Sequence, residues 1–305
     1  MGHTLDLLKL PAGWRTRFAP APTGFLHLGH VVNAIYVWGM ARAHDGRVVL
    51  RVEDHDQSRC RPEYERALLD DLDWLGFAPD EGPTDEYRAG ANALRQSDNG
   101  WRYAAAITAL ELRGLVYTCQ CSRGDIARVV GDRPNEEMRY PGTCRAAALA
   151  PDASLQRRVR LGDDPERFFD LLRGPQEQHP AAQCGDLLVR DRLGQWTYQF
   201  AVTVDDLDQR IDLVIRGEDL LASTGRQRAL ARLLGRRRPL HVMHHPLVRH
   251  ADGAKLSKSA GDTGVRELRA QGDTAEAVIG RAAHAVGLQP TPAPCAAADV
   301  ARFFA

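Results

Sequence analysis

The chain has 305 residues, 44% of them hydrophobic and 26% charged. This is ordinary composition for a globular protein large enough to bury a core. Lys+Arg and Asp+Glu stand at 40 each, so the formal net charge is +0, which excludes a protein that coats nucleic acid through bulk charge and leaves room for a local basic surface. No apolar run is long enough to cross a membrane and no secretory leader is apparent, so a cytoplasmic address is expected.

In chain order, residues 15–19 read as a short strand, broken into a loop by Pro20, Pro22 and Gly24. An apolar helix is expected from about His27 to Ala43, a buried strand over 47–53, and helices over 61–76 and 85–114. Strand, helix, strand, helix is the order of an α/β fold with a parallel sheet. Regularity then drops over 115–185, where short strand-like pieces (157–161, 168–172) and clustered cysteines suggest an insertion with its own small core. Residues 186–190 and 197–205 are apolar and of mixed character, 211–217 a buried strand, 220–235 an amphipathic helix and 241–248 another strand. The stretch 263–287 reads as mostly helical, and 290–298 (PTPAPCAAA) as a loosely held end.

Three groups of residues carry chemistry. The first is the segment from Pro20 to His30, between strand and helix, where open α/β sheets bind ligands. A helix N-terminus offers unpaired N–H groups and a positive dipole to phosphate. His27 and His30, three apart, can donate to phosphate oxygens, and Gly29 between them lets a flat base approach the backbone. The second is Lys255-Leu256-Ser257-Lys258-Ser259. The chain has 37 Arg and only three Lys (Lys9, Lys255, Lys258), so two ammonium groups three positions apart suggest selection for compact, mobile charge that can neutralise a splitting triphosphate. The third is Cys119, Cys121 and Cys144: three neighbouring thiols favour a tetrahedral zinc, with buried apolar cysteines as the alternative, and spacing does not single out a fourth ligand. Cys60, Cys184 and Cys295 have no partners at metal spacing and read as structural. Arg226, Arg228, Arg232, Arg236, Arg237 and Arg238 read mostly as a solvated helix face, with phosphate-backbone contact as the alternative.

The ordered motifs RFAPAPTGFLHLGH (17–30), VLRVEDHD (49–56), VDD (204–206), VIRGEDL (214–220) and AKLSKS (254–259) resemble the glutamyl branch of the class I aminoacyl-tRNA synthetases over about residues 15–260. The resemblance implies a Rossmann-like catalytic core with a zinc-containing insertion and a short helical C-terminal segment. The divisions expected are 1–114 and 186–250 for the two halves of the catalytic domain, 115–185 for the insertion, and 251–305 for the lysine loop and C-terminal segment. It implies that Arg17, Ala19, Ala21, Glu53, Tyr198 and Arg216 line a glutamate pocket, Glu53 facing the ammonium and Arg216 the side-chain carboxylate. It implies that His27, Gly29, His30, Lys255 and Lys258 hold ATP, with His27, His30 and Lys258 catalytic and Mg2+ accompanying the nucleotide. Ala21 departs from the serine frequent in the family, which removes one hydroxyl from the pocket.

Within the glutamyl branch the cysteine pattern resembles the shortened, queuosine-modifying enzymes, in which Cys119, Cys121, Tyr140 and Cys144 would be the ligands of one structural Zn2+. The 46 residues after Ser259 are too few for an anticodon-reading domain, and none is expected. This points to activation of L-glutamate with ATP and its transfer to queuosine in the anticodon loop of tRNA(Asp), by a monomer without membrane partners. The alternatives are charging of tRNA(Glu) by a catalytic fragment, a nucleotidyltransferase that activates a small acid without tRNA, and a non-catalytic tRNA-binding paralogue.

Overall fold

The computed structural model describes residues 10–131, 137–248 and 264–305. Two parallel strands, β1 (Arg15–Phe18) and β2 (Arg47–Leu50), flank helix α1 (Leu28–Ala43) in sequence. After β2 come α2 (Pro62–Leu75), α3 (Thr84–Ala89), a 3-10 turn (Gln96–Asn99) and α4 (Gly100–Glu111). The single helix expected over 85–114 is therefore three pieces. Gly90, at φ 138°, ends α3, and the intervening chain runs beside the first sheet, where Val52 bridges Arg95.

The next stretch supplies β3 (Val116–Cys119), α5 (Arg123–Val130), β4 (Gln156–Val159), β5 (Glu166–Asp170), β6 (Gly174–Gln178) and α6 (Pro180–Cys184). Then follow β7 (Leu187–Arg190), α7 (Tyr198–Asp208), β8 (Leu213–Gly217), α8 (Thr224–Leu233), β9 (His241–His245), α9 (Val265–Ala270) and α10 (Ala275–Ala285). Strands on both sides of residue 185 share a sheet, ordered β3-β4-β7 and antiparallel. A third sheet is ordered β6-β5-β9-β8, with β5, β9 and β8 parallel, so β5 pairs with its sequence neighbour β6 on one edge and joins the strands around the cleft on the other. The β1 strand lies alongside β8, where the Asp212 N–H donates to the Arg15 carbonyl (2.9 Å) and the Arg15 N–H to the Asp212 carboxylate (3.0 Å). The parallel strands β1, β2, β8 and β9 thus open their carboxyl ends towards one side of the molecule.

Helix α1 explains why. From Val31 to Ala41 it is buried on nearly every face, as expected for a helix apolar all round. It lies between β1, β2 and β8 on one side and α10 with a 3-10 segment (Ala297–Phe303) on the other. A Cβ on Gly39 would sit 2.3 Å from the Phe304 ring, so glycine allows this close approach without displacing the ring. The expectation of a loosely held end at 290–298 is corrected in part: residues 290–294 are exposed, but Cys295 and the nearby Val300 are buried in the main core. Local Pro/Ala composition conceals this, because the apolar partners lie on α1 and α10, far away in sequence. Among the described residues no helix is long and apolar enough to cross a membrane.

Candidate active site

A cavity of about 410 Å3 opens at the carboxyl ends of β1, β2, β8 and β9. It is lined by Arg17, Ala19, Ala21, His27, Gly29, His30, Glu53, Tyr198 and Arg216, so the expected pocket residues that are described all converge there. Lys255 and Lys258 lie outside the described residues. Both flanks of their segment reach the site: Leu247 and Val248 line the cavity, and beyond it Gly264 bridges His27 while the Val265 N–H donates to the Leu26 carbonyl (2.8 Å).

The two histidines build the start of α1. His27 is the N-cap, with extended φ −129° and ψ 175°, and not a residue of the helix itself. Its Nδ1 accepts the Gly29 N–H (3.1 Å), and the His30 Nδ1 accepts the His27 N–H (3.1 Å). This is a capping box in which imidazoles replace the usual hydroxyl and carboxylate. With both Nδ1 atoms accepting, the ring protons belong on Nε2. The rings lie 4.0 Å apart, centroid to centroid. A Cβ on Gly29 would stand 2.9 Å from the His27 ring, so glycine here keeps the cap intact.

Beneath the cavity lies a buried charge network. Arg51 is fully buried and donates to Glu53 Oε1 (2.9 Å), Asp206 Oδ1 (2.7 Å) and Gln209 Oε1 (3.0 Å). Arg17 adds a bond to Asp206 Oδ1 (3.2 Å) and one to the Ile215 carbonyl (3.3 Å). Burial opposes ionisation of Asp206, yet Arg51 and Arg17 hold its carboxyl below the usual range. Its neighbour Asp205, bonded to Gln96 and Tyr103, is pushed up to about 6, chiefly by burial. The network fixes Glu53 and Arg17 in place.

Arg216 is different. It too is buried, but its bonds go to neutral acceptors: Nε to His244 Nε2 (3.1 Å), and the terminal nitrogens to Gln227 Oε1 (2.8 Å) and Thr224 Oγ1 (2.9 Å). Among the described residues no carboxylate forms an ion pair with it. Burial, reinforced by nearby Arg17, lowers its proton affinity although Tyr198 opposes this. An anion delivered to this cavity would complete the missing charge.

Several lining residues stand outside the expected set. Asn33 follows His30 by one helical turn, a spacing that could have found it. His245, at the end of β9, stacks on Tyr36 (4.9 Å) and lies 3.2 Å from the Asn33 amide. Burial pushes its imidazole down to about 4, so it is neutral near pH 7. Gly217, Asp219 and Leu220 follow Arg216 into the site.

A second centre lies in the β3-β4-β7 region. The sulfurs of Cys119, Cys121 and Cys144 all lie within 4.8 Å of one another and are buried. Tetrahedral zinc with Zn–S near 2.3 Å requires sulfurs about 3.8 Å apart, so the thiols fit with small adjustments. The Tyr140 hydroxyl is 3.4 Å from Cys119 Sγ and 4.0 Å from Cys121 Sγ, and it accepts the Cys144 N–H (2.8 Å). The Arg158 guanidinium stacks on the Tyr140 ring (3.8 Å) and donates to Cys119 Sγ (3.4 Å), placing positive charge beside the thiols. Burial and the adjoining thiols push Cys121 up to about 11; a divalent cation would reverse this. Gly185 closes the cluster at φ 70°, where a Cβ would meet the Tyr140 carbonyl at 2.1 Å.

The arginines of 226–238 are not mainly a solvated face. Arg226 is buried against Glu137, Arg228 donates to the Leu240 carbonyl and Arg236 to that of Ile211, because α8 packs on α7 and β5. Arg232 is exposed but paired with Glu166, while Arg237 and Arg238 are exposed.

Residues 14–293 match the family model of the class I tRNA synthetases (E and Q), catalytic domain. A glutamyl-Q tRNA(Asp) synthetase of Bordetella bronchiseptica is 44% identical over 254 residues, covering 80% of this chain and 75% of the relative. One from Symbiobacterium thermophilum is 39% identical, covering 91% and 88%. Among solved structures, a glutamate tRNA ligase from Elizabethkingia meningosepticum, in complex with its amino acid, superposes with a TM-score of 0.74 at 26% identity. The match covers 89% of this chain and 60% of that one. The glutamate-tRNA synthetase of Elizabethkingia anophelis gives 0.76 at 24%, covering 95% and 65%, which bears on the fold alone. With its cleft at the ends of the parallel strands and a family match across nearly its whole length, this chain belongs to the class I glutamyl/glutaminyl tRNA synthetase catalytic-domain family.

Proposed function

We propose that the chain activates L-glutamate with ATP and transfers the glutamyl group to queuosine in the anticodon loop of tRNA(Asp). The observation that carries this reading is Arg216, a buried guanidinium bonded to neutral groups, in one cavity with Glu53 and the His27–His30 cap. The name of the curated relatives supplies the acceptor.

In this reading Glu53 meets the substrate ammonium and Arg216 the side-chain carboxylate, with Arg17, Tyr198 and the backbone at Ala19 and Ala21 closing the pocket. A guanidinium suits a carboxylate and leaves the amide of glutamine poorly paired. The α-carboxylate oxygen bonds to the α-phosphorus of ATP as the bond to pyrophosphate breaks. Its nucleophile is already ionised, so the protein supplies positioning and charge stabilisation, not a base. His27 and His30, through Nε2–H, and the α1 N-terminus meet phosphate, with Lys255 and Lys258 brought in by a segment whose two flanks meet the cavity. ATP enters with Mg2+. A hydroxyl of the queuosine cyclopentene ring then attacks the adenylate carbonyl, AMP leaves and the hydroxyl proton is lost to solvent. Cys119, Cys121, Tyr140 and Cys144 would hold one Zn2+, whose chemistry there would be structural.

The test is transfer of labelled glutamate to tRNA(Asp) with and without queuosine, with tRNA(Glu) as control. Label only on queuosine-containing tRNA(Asp) is expected; label on tRNA(Glu) alone would replace this acceptor with the other. Metal analysis should find about one zinc per chain, lost in Cys119→Ser.

A further inference from the structure

His244 and Asp170 lie outside every motif the sequence singles out, and both are fully buried. Asp170 ends β5 and His244 lies in β9, 74 residues away, and the two strands pair at Asp170 and Val242. The His244 Nδ1 bonds to Asp170 Oδ2, while its Nε2 accepts from Arg216 Nε–H (3.1 Å) and lies 3.2 Å from the Thr224 hydroxyl. These contacts define one tautomer. A guanidinium has donors only, so Nε2 must be bare, and the ring proton must sit on Nδ1, facing the carboxylate.

We propose that Asp170 and His244 are positioning residues for the substrate carboxylate: Asp170 fixes the tautomer of His244, and the bare Nε2 holds the Arg216 fork in the orientation that receives the anion. This rests on the reading of the cavity as a glutamate site and goes beyond it, since neither residue lines the cavity. The arrangement achieves something a carboxylate at position 244 could not. A carboxylate would neutralise Arg216 directly and compete with the substrate. A neutral imidazole aligns the guanidinium and leaves its charge to the ligand.

The Asp170 environment makes a sharp test available. Its Oδ1 accepts the N–H groups of Leu172 (3.0 Å) and Arg173 (2.9 Å). In Asp170→Asn the amide oxygen must take that place, because an NH2 there would face two donors. The NH2 then faces the His244 Nδ1, which becomes the acceptor, and the ring proton moves to Nε2, against Arg216 Nε–H. The substitution is nearly isosteric, so it leaves no cavity, yet it sets two donors against each other.

Steady-state ATP–pyrophosphate exchange of the full chain separates the outcomes. Asp170→Asn is expected to raise the KM for glutamate about tenfold or more while the KM for ATP stays within about twofold. If both KM values move together, or neither moves in a folded variant, the proposal falls. Should Asp170→Asn fail to fold, the pair His244→Gln and His244→Leu decides the matter. The glutamine Oε1 can replace Nε2 as acceptor, so Gln should retain most of the glutamate affinity that Leu loses, and equal losses in both would overturn the positioning role. Wild-type protein with no glutamate-dependent exchange would instead sink the glutamate reading itself.

Discussion

On the β1–β2 side of the cavity, Arg17 and Arg51 meet Asp206 and Glu53, and that wall carries its own counter-charge. On the β8–β9 side, Arg216 meets His244, Gln227 and Thr224, all neutral. The two walls are similarly buried, so burial does not separate structural from binding arginines here. The charge of the partners does. A buried pair that balances itself holds its members in place before any ligand arrives, and losing one member is costly because the other is left bare. A buried cation aligned by neutral groups costs the free protein stability, and the ligand recovers that cost on binding.

Breaking each wall should therefore give opposite signatures. Arg51→Met leaves the buried Glu53 without its arginine and Asp206 with Arg17 alone, and a stability loss of about 3–5 kcal/mol is expected in denaturant unfolding. Arg216→Gln removes an unbalanced charge, so stability should stay within about 1 kcal/mol of wild type. Its glutamate-dependent kcat/KM should fall about 100- to 1000-fold, equivalent to about 3–4 kcal/mol of transition-state stabilisation. Were the Arg216 variant to unfold as readily as the Arg51 variant, the distinction between the walls would vanish.

The first wall is half legible in the sequence. Glu53 and Arg17 stand in recognisable motifs, but nothing in their spacing gives a role to Arg51, two residues before Glu53, or to Asp206, in the VDD motif. Their function exists only where β1, β2 and α7 meet. On the second wall Arg216 is readable from VIRGEDL, whereas Asp170 and His244 are not. Nothing local marks an aspartate in a region that reads as an insertion, and only the pairing of β5 with β9 brings it to the histidine. The His27–His30 pair is visible in the sequence, but its geometry is not: spacing puts both on a helix face, and the structure makes one the cap of the other's helix. Motifs report which side chains reach a ligand. The groups that hold those side chains come from distant strands and follow from topology.

The same contrast extends to a single buried acid. Asp71, on α2, is almost fully buried, and among the described residues its Oδ2 has no hydrogen-bond partner. It faces a cleft of about 580 Å3 shared with Arg266 and Arg269 of α9. Burial, only partly offset by Arg269, pushes its carboxyl up to about 7. A group whose folded pKa lies above its unfolded value stabilises most below the unfolded value, and stability is lost as pH rises through the folded one. For Asp71 that window runs from about 4 to about 7. Asp71→Asn removes the cost of ionising the buried carboxyl. The variant should be about 2 kcal/mol more stable than wild type at pH 8, with the gain shrinking below pH 7 and absent near pH 4. Urea midpoints of both proteins across that range measure it. A gain independent of pH would mean that shape or packing, not the charge on Asp71, limits stability between α2 and α9.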